Sequence, residues 1–205
     1  GVAIDAGIAR WNGTTWSGFA SGVAATAANT PVTVRAIVQR SDGTLVVGGD
    51  FGFANGLVAR GLATLTPMCP PSATSLGTGC SSTAGPLVLT ADTLPWIGST
   101  LRTTTTGIAP LTLCLGVIGL SQTAIPLASV LAQGQPGCSL FAAPDILTVL
   151  TPGAGTATSS FALANDPALI GLPFYAQTVP FEFDLAAAIV AVRASNALSL
   201  RIGTF

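Results

Sequence analysis

The sequence predicts an all-β protein, in which an antiparallel meander is followed by an antiparallel β-sandwich. Short runs rich in Thr, Val, Leu and Ile recur at close spacing, which is typical of strands. The 24 Gly and 14 Pro residues of the 205-residue chain punctuate these runs as turn signals. The mean hydropathy is high, +0.68, yet no apolar run reaches the roughly 18 residues that a membrane-spanning helix needs.

Residues 1–66 form the predicted meander. Residues 7–12 and 14–19 should pair as a hairpin, because Asn12-Gly13 is a dipeptide that accepts positive φ at both central positions of a tight turn. Residues 32–39 alternate between two faces, and the turn signal Ser-Asp-Gly at 41–43 leads into a return strand at 44–48. We therefore expect four strands in this segment.

The meander also begins to repeat. GLATL at 61–65 aligns with GIARW at 7–11, an offset of 54 residues that lies in the range of propeller blades. Together, GIARWNGTTW and VRAIVQRSDGTLVVGGDF resemble the repeat of secreted bacterial propeller-type proteins. The resemblance covers about one unit and implies a propeller-blade-like meander that packs on upstream blades or on the second domain.

Residues 67–205 form the predicted sandwich domain. The segment opens with a Pro/Gly/Ser-rich stretch bracketed by cysteines, which we interpret as a linker at the domain boundary. Strand candidates follow at 86–91, 99–106, 111–120, 139–142, 146–150, 154–163, 174–183 and 198–202. Residues 184–194 could form a strand or a helix, and the β-branched residues Ile189, Val190 and Val192 favour the strand.

This second segment carries a resemblance of its own. SLGTGCSSTAGP, LPWIGSTL, GQPGCSLFAAPD, ALANDPALIGLPFYAQ and SNALSLRIGTF are similar to a C-terminal domain found on large secreted proteins of planctomycete-like bacteria. The resemblance covers nearly all of 78–205. It implies a secreted or surface-displayed β-rich module of no established activity, and it supplies no catalytic residues.

Charge is scarce along the whole chain. Seven Arg, eight acidic residues, no Lys and no His make up 7% of the positions, against roughly 25% in ordinary domains. This composition excludes a basic stripe for nucleic acid and a polybasic membrane anchor. The commonest general base, metal ligand and Schiff-base amine are missing too. We therefore expect no enzyme activity, no cofactor and no metal site.

Four cysteines, Cys69, Cys80, Cys114 and Cys138, indicate disulfides in an oxidising compartment, because none lies in a Cys-x-x-Cys pair. The connectivity is open. The short loop between Cys69 and Cys80 favours that pair, which leaves Cys114 with Cys138. Pairing of Cys80 with Cys138 is a close rival, and four free thiols in a cytosolic protein are the third possibility.

The closest pair of carboxylates is Glu182 and Asp184, which would share one face of a strand and could act as the acid and base of a glycoside hydrolase. The surrounding FEFDL is also the ordinary pattern of a half-buried strand, the interpretation that we favour. Five other acidic residues lack calcium-loop spacing or are typical turn formers: Asp5, Asp42, Asp50, Asp145 and Asp166.

The aromatic residues Trp11, Trp16, Trp96 and Tyr175 could provide a flat platform for sugar stacking. Packing within the fold is the favoured interpretation, since Trp11 and Trp16 flank a hairpin where cross-strand aromatic pairs stabilise a sheet.

The shortage of charge leaves large uncharged surfaces, which usually mark interfaces. We therefore predict an extracellular structural protein, a self-assembling subunit of a filament, sheath or surface layer. The alternative is a non-catalytic module that anchors a larger secreted protein to a cell surface or glycan. Leu198, Leu200, Ile202 and Phe205 are the candidate subunit contacts, because chain ends can reach outward.

Overall fold

The protein is built almost entirely of β-strands, which confirms the predicted all-β class. The computed structural model describes residues 7–11, 16–18, 22–26, 31–40, 44–65 and 69–204. Strands account for 56% of the structure and helices for 4%. The side chains of Arg10, Trp11 and Ser17 lie outside the described part.

The described strands of the first segment are short and antiparallel. They are β1 (Ala9–Trp11), β2 (Trp16–Gly18), β3 (Val23–Ala24), β4 (Thr33–Gln39), β5 (Leu45–Asp50), β6 (Phe53–Ala54), β7 (Leu57–Val58) and β8 (Leu62–Leu65). Both predicted hairpins are present, since β1 pairs with β2 and β4 with β5. The strands are divided among three sheets, β1-β2, β4-β5-β8 and β3-β6-β7.

Two of these sheets contain features that the sequence shows, namely the Asn55-Gly56 turn and the start of the apparent repeat at β8. Asn55 and Gly56, with φ of 49° and 76°, turn β6 into β7 through two residues of positive φ, the conformation that Asn-Gly accepts most easily. β8 begins the apparent repeat, yet it pairs with β5, where Val47 lies opposite Ala63. Val47 is completely buried at the centre of this segment's core.

The second segment contains the predicted antiparallel sandwich. Its strands are β9 (Ser72–Leu76), β10 (Ser81–Ser82), β11 (Gly85–Pro86), β12 (Val88–Ala91), β13 (Thr100–Thr106), β14 (Thr112–Gly119), β15 (Gln122–Pro126), β16 (Ser139–Ala142), β17 (Ile146–Leu150), β18 (Thr156–Ala162), β19 (Pro173–Phe183), β20 (Ile189–Val192) and β21 (Ala197–Arg201). Short helical turns occur at α1 (Leu127–Val130) and at Pro167–Leu169. All eight strand candidates are confirmed.

A six-stranded sheet forms the centre of this segment. Its strand order is β17-β14-β19-β21-β9, and β20 also pairs with β19. The cysteine-bracketed stretch predicted as a linker is therefore wrong in part, because β9 pairs with β21 over its whole length. Residues 184–194 are a strand only at Ile189–Val192. Residues 184–188 form a turn whose ends are joined by a backbone hydrogen bond of 3.0 Å.

Both faces of the central sheet are covered. Alternate side chains of β19 point to opposite faces. Phe174 and Ala176 pack with residues of the three-stranded sheet β12-β13-β18, including Leu89 and Leu101. Val179 on the other face packs with Leu127 of α1 and with Cys138 and Ala142 of the β15-β16 region. Burial on both faces accounts for the nearly continuous apolar run of this strand.

The predicted division into domains at residues 66 and 67 agrees with how the cores are distributed. One hydrophobic cluster draws its described residues from 8–65, and the other three draw theirs from 73–202. The domain boundary itself stays a prediction.

A buried glutamine fastens the β15-β16 hairpin to the central sheet. Gln177 of β19 is 1% exposed. Its Oε1 accepts hydrogen bonds from the N–H groups of Phe141 (2.7 Å) and Ala142 (3.3 Å). Its Nε2 donates to the carbonyls of Ser139 (3.0 Å) and Ser195 (2.7 Å). The amide thus uses both of its donors and both acceptor positions on backbone groups.

A buried asparagine joins the layer on the opposite face to the central sheet by hydrogen bonds. Asn196 Oδ1 accepts from the N–H of Leu89 (2.8 Å), and its Nδ2 donates to the carbonyl of Leu89 (3.1 Å) and to Ser75 Oγ (3.0 Å). The neighbouring Ser195 Oγ accepts from the N–H of Thr178 (3.0 Å). Residues 195 and 196 therefore connect the central sheet to β12.

The favoured disulfide pairing is wrong, and its rival is correct. Cys80 and Cys138 are joined, with their Cα atoms 5.6 Å apart, whereas Cys69 and Cys114 are free. The five residues of β9 lie between Cys69 and Cys80. An extended strand of that length spans roughly 17 Å, well beyond the separation that a disulfide tolerates.

The predicted subunit contacts near the chain end are also wrong where they can be seen. Leu198, Leu200 and Ile202 are 4%, 1% and 3% exposed. They belong to the core between the sheets, because β21 lies between β19 and β9 in the interior of the sheet. Phe205 lies outside the described residues.

We expect Gln177→Leu to lower the free energy of unfolding by about 3 kcal/mol or more, because it leaves four buried or half-buried backbone groups without the partners that Gln177 supplies. Urea denaturation would measure this. Gln122→Leu on β15 is the matched control, since Gln122 is exposed, and it should change stability by no more than about 0.5 kcal/mol. Equal effects of the two substitutions would contradict the role given to Gln177.

A second prediction concerns the Cys80–Cys138 disulfide. Alkylation of the denatured, unreduced protein should modify Cys69 and Cys114 only, and reduction should expose all four cysteines, as mass spectrometry of peptides can show. Because the bridge spans a sequence separation of 58 residues, replacing Cys80 and Cys138 together by Ala should lower the free energy of unfolding by about 4 kcal/mol. Labelled Cys80 in the unreduced protein would refute the pairing.

The buried thiol of Cys114 should make the free energy of unfolding depend on pH. Burial raises the pKa of its thiol from 9.0 to about 12, so the thiol of the unfolded chain ionises first as pH rises. The stability that the buried, neutral thiol contributes is complete below pH 9 and is lost as pH rises from 9 towards 12. Urea denaturation from pH 8 to 11 should therefore show a steeper loss of stability for the native protein than for Cys114→Ala. Parallel curves would show that this thiol does not contribute.

Candidate functional site

The carboxylates of Glu182 and Asp184 have separate structural partners. Glu182 is buried, and its Oε1 accepts a hydrogen bond of 2.8 Å from Arg193 Nε in an ion pair. Asp184 Oδ1 accepts from the N–H groups of Ala186 and Ala188, each at 2.9 Å, and so shapes the turn that follows β19. These contacts agree with the structural interpretation of the FEFDL motif.

Asp166 is a turn former, as the sequence indicates, because its Oδ1 accepts from the N–H of Ala168 two residues later (2.9 Å). Asp145 instead makes a long-range contact, since its Oδ2 accepts from the N–H of Leu120 (2.8 Å), 25 residues earlier in the chain. Asp50 instead forms an exposed ion pair with Arg35. Within the described ranges no three His, Cys, Asp or Glu residues gather where they could hold a metal ion. Asp5 and Asp42 lie outside those ranges.

The aromatic residues are distributed over different elements. Tyr175 is half-buried and packs in the core beneath the β15-β16 hairpin. Trp96 is half-buried and forms a bridge with Gly203. Trp16 on β2 is 55% exposed.

The feature that stands out is the apolar edge of the central sheet. β17 is the outermost strand on one side. Ile146, Leu147 and Val149 are 46%, 55% and 63% exposed, whereas Leu150 is buried. No strand in the described ranges lies beyond β17, so every second residue directs its N–H and C=O groups outward. An edge strand of this kind is a template for another strand.

The register of β17 shows which of its side chains lie together. Leu147 is opposite Val117 of β14, and Val149 is opposite Leu115. Opposite residues share a face of the sheet, and Leu113 shares that face as well because it lies two residues before Leu115. Leu113, Leu147 and Val149 thus form one apolar strip, which is named the edge strip below. It lies where the β15-β16 layer does not cover the sheet fully.

A second apolar surface begins at the end of this strip. Leu111, Leu113, Phe183 and Leu185 line a groove of about 390 Å³ beside the turn at Asp184. Leu185 is 95% exposed at its rim. The groove and the edge strip share Leu113, so apolar side chains continue from β17 to the end of β19.

These surfaces also lack charge. The chain has no charged residue between Arg102 and Asp145, and none between Asp145 and Asp166. β14 and β17 therefore carry none of the Lys or Glu side chains that ordinarily keep an edge strand from pairing. The sequence predicts both strands, but its signal for a subunit contact at the chain end is weaker than the signal of the β-rich and charge-free ILTVL segment.

A pocket of about 390 Å³ also opens at one end of the sandwich. It lies where β14 and β18 end and where β17 and β19 begin. Phe161, Leu163 and Phe174 contribute to its wall, and Asp145 is the single ionisable residue that lines it.

Together these features define a layered all-β protein with an uncharged apolar edge. No known protein family, curated protein or solved structure matches the chain. In the described residues, no helix is both long and apolar enough to span a membrane.

Proposed function

We propose that this chain is an extracellular structural subunit that assembles with copies of itself through the edge strip and the β17 backbone. The observation that carries the proposal is an outermost strand with three exposed apolar residues and no charge. The Cys80–Cys138 bridge supports an oxidising location, because such bonds persist mainly outside the cytosol.

The sequence of β17 fits pairing with a second copy. In an antiparallel pair centred on Thr148, Leu147 of each copy lies opposite Val149 of the other. Such a two-fold pairing joins two identical surfaces, extends the central sheet from six strands to twelve and brings the Leu147 and Val149 side chains of the two copies together. Apolar side chains on directly opposite positions stabilise strand pairs.

A two-fold contact closes at a dimer, so a filament, sheath or layer needs a second contact. The groove at Leu185 is suited to this role. It remains open at each end of such a dimer, and a side chain that is 95% exposed gains most from burial against a neighbour. Growth then proceeds by addition of dimers through their grooves.

Light scattering over a concentration series, with negative-stain imaging of the same unreduced samples, tests this assembly. Native protein should form regular polymers. Val149→Lys should yield a monomer, because pairing would bury an ammonium group, whereas Leu185→Lys should leave dimers that do not polymerise. Leu62→Lys on β8 is the matched control, since Leu62 is 65% exposed, and it should assemble as the native protein does.

The register can be tested in the same assay. The double variant Leu147→Glu with Val149→Lys places an introduced carboxylate of one copy opposite an introduced ammonium of the other. It should recover dimers at low salt and lose them at high salt, whereas each single variant stays monomeric. A native protein that is monomeric at all concentrations would refute the proposed function, and polymers of Val149→Lys would refute the β17 contact.

A further inference from the structure

The pocket at the end of the sandwich has the build of a binding site for a small molecule. Its volume of about 390 Å³ lies in the range of ligand pockets, roughly 300–1,000 Å³. Walls from both sheets form it, and these walls belong to the principal core of the segment. The pocket is therefore shaped by the packing of the sandwich and does not depend on association of the protein.

The pocket is apolar from its mouth to its floor. Leu120 and Ile146 at the mouth are 64% and 46% exposed, whereas Leu163, Phe174 and Ile202 deeper inside are 7%, 3% and 3% exposed. This gradient of exposure favours an elongated apolar group that enters from solvent. Each methylene that enters the pocket is removed from water, and so is the part of the wall that it covers.

Asp145 determines which end of a ligand would remain at the mouth. Its Oδ2 is held by the N–H of Leu120 at 2.8 Å, which positions the carboxylate at the rim of the pocket. Among the described residues that line the pocket, Asp145 is the only ionisable one. A carboxylate with no basic side chain beside it in the pocket wall favours a cationic group over an anionic one.

We propose that this pocket binds a single-chain amphiphile with a protonated amino group. The alkyl chain lies between the two sheets against Phe161, Leu163 and Phe174, and the ammonium group lies at Asp145. This site is separate from the edge strip, because neither Leu147 nor Val149 lines it.

Fluorescence of N-phenyl-1-naphthylamine, an apolar probe with an N–H donor, tests the site. The probe should bind one equivalent, and octylamine, decylamine and dodecylamine should displace it below their micellar concentrations. Affinity should rise about fourfold for each added methylene. Decanol should bind about threefold more weakly than decylamine, since an exposed ion pair contributes modestly, and decanoate more weakly still.

Variants separate this pocket from the assembly surfaces. Ala164→Trp places a large ring at the mouth and should reduce probe binding at least tenfold, whereas Ala168→Trp is the matched control because Ala168 is exposed and lies outside the pocket lining. Asp145→Asn should remove the preference for decylamine over decanol. Val149→Lys should bind the probe as the native protein does, whatever its state of association.

Three results would overturn the inference. Displacement that does not depend on chain length would show that no alkyl chain enters. Equal probe binding by Ala164→Trp and Ala168→Trp would place the probe elsewhere. Loss of probe binding in Val149→Lys would assign the probe to the edge strip.

Discussion

The architecture of the second segment depends on hydrogen-bond partners for the backbone groups that lie where three layers meet. The β15-β16 hairpin and the strand β12 lie on opposite faces of the central sheet, and each presents N–H and C=O groups that no ladder partner reaches. Gln177 supplies the missing partners on one face and Asn196 supplies them on the other. Because an unpaired buried amide costs more than a formed bond gains, these two side chains determine where the outer layers can sit.

This constraint leaves the sheet edges unprotected. The outer layers are fixed over β19 and β21, so they cover the middle of the central sheet and leave β17 at its margin. An ordinary protein places charged side chains there, but this chain has few to place. The exposed apolar residues of β17 are therefore a joint result of the layer arrangement and the composition. The pocket lies at the other end of β21 from Asn196, where Ile202 lines it.

The strands could be predicted from the sequence because their apolar periodicity and bounding turn residues are local. The eight strands predicted in the sandwich segment and the two hairpins needed nothing else. β9 was missed because SATSL has little apolar content, and its strand conformation is imposed by pairing with β21. The disulfide and the candidate surface depended on which strands become neighbours, which periodicity does not reveal. Leu198 and Val149 both lie in apolar strand segments of the sequence. Leu198 is in the core and Val149 is on the surface because their strands occupy different positions in the sheet.

The long interval without basic residues has a consequence for digestion by proteases. Trypsin-like proteases cleave after Lys or Arg, and the chain has neither between Arg102 and Arg193. That interval contains β14, β17, β18 and β19, and Arg193 at its far end is held against Glu182. A protein built in this way offers such enzymes no cleavage site in most of its central sheet. Its resistance to them would follow from composition as well as from folding stability.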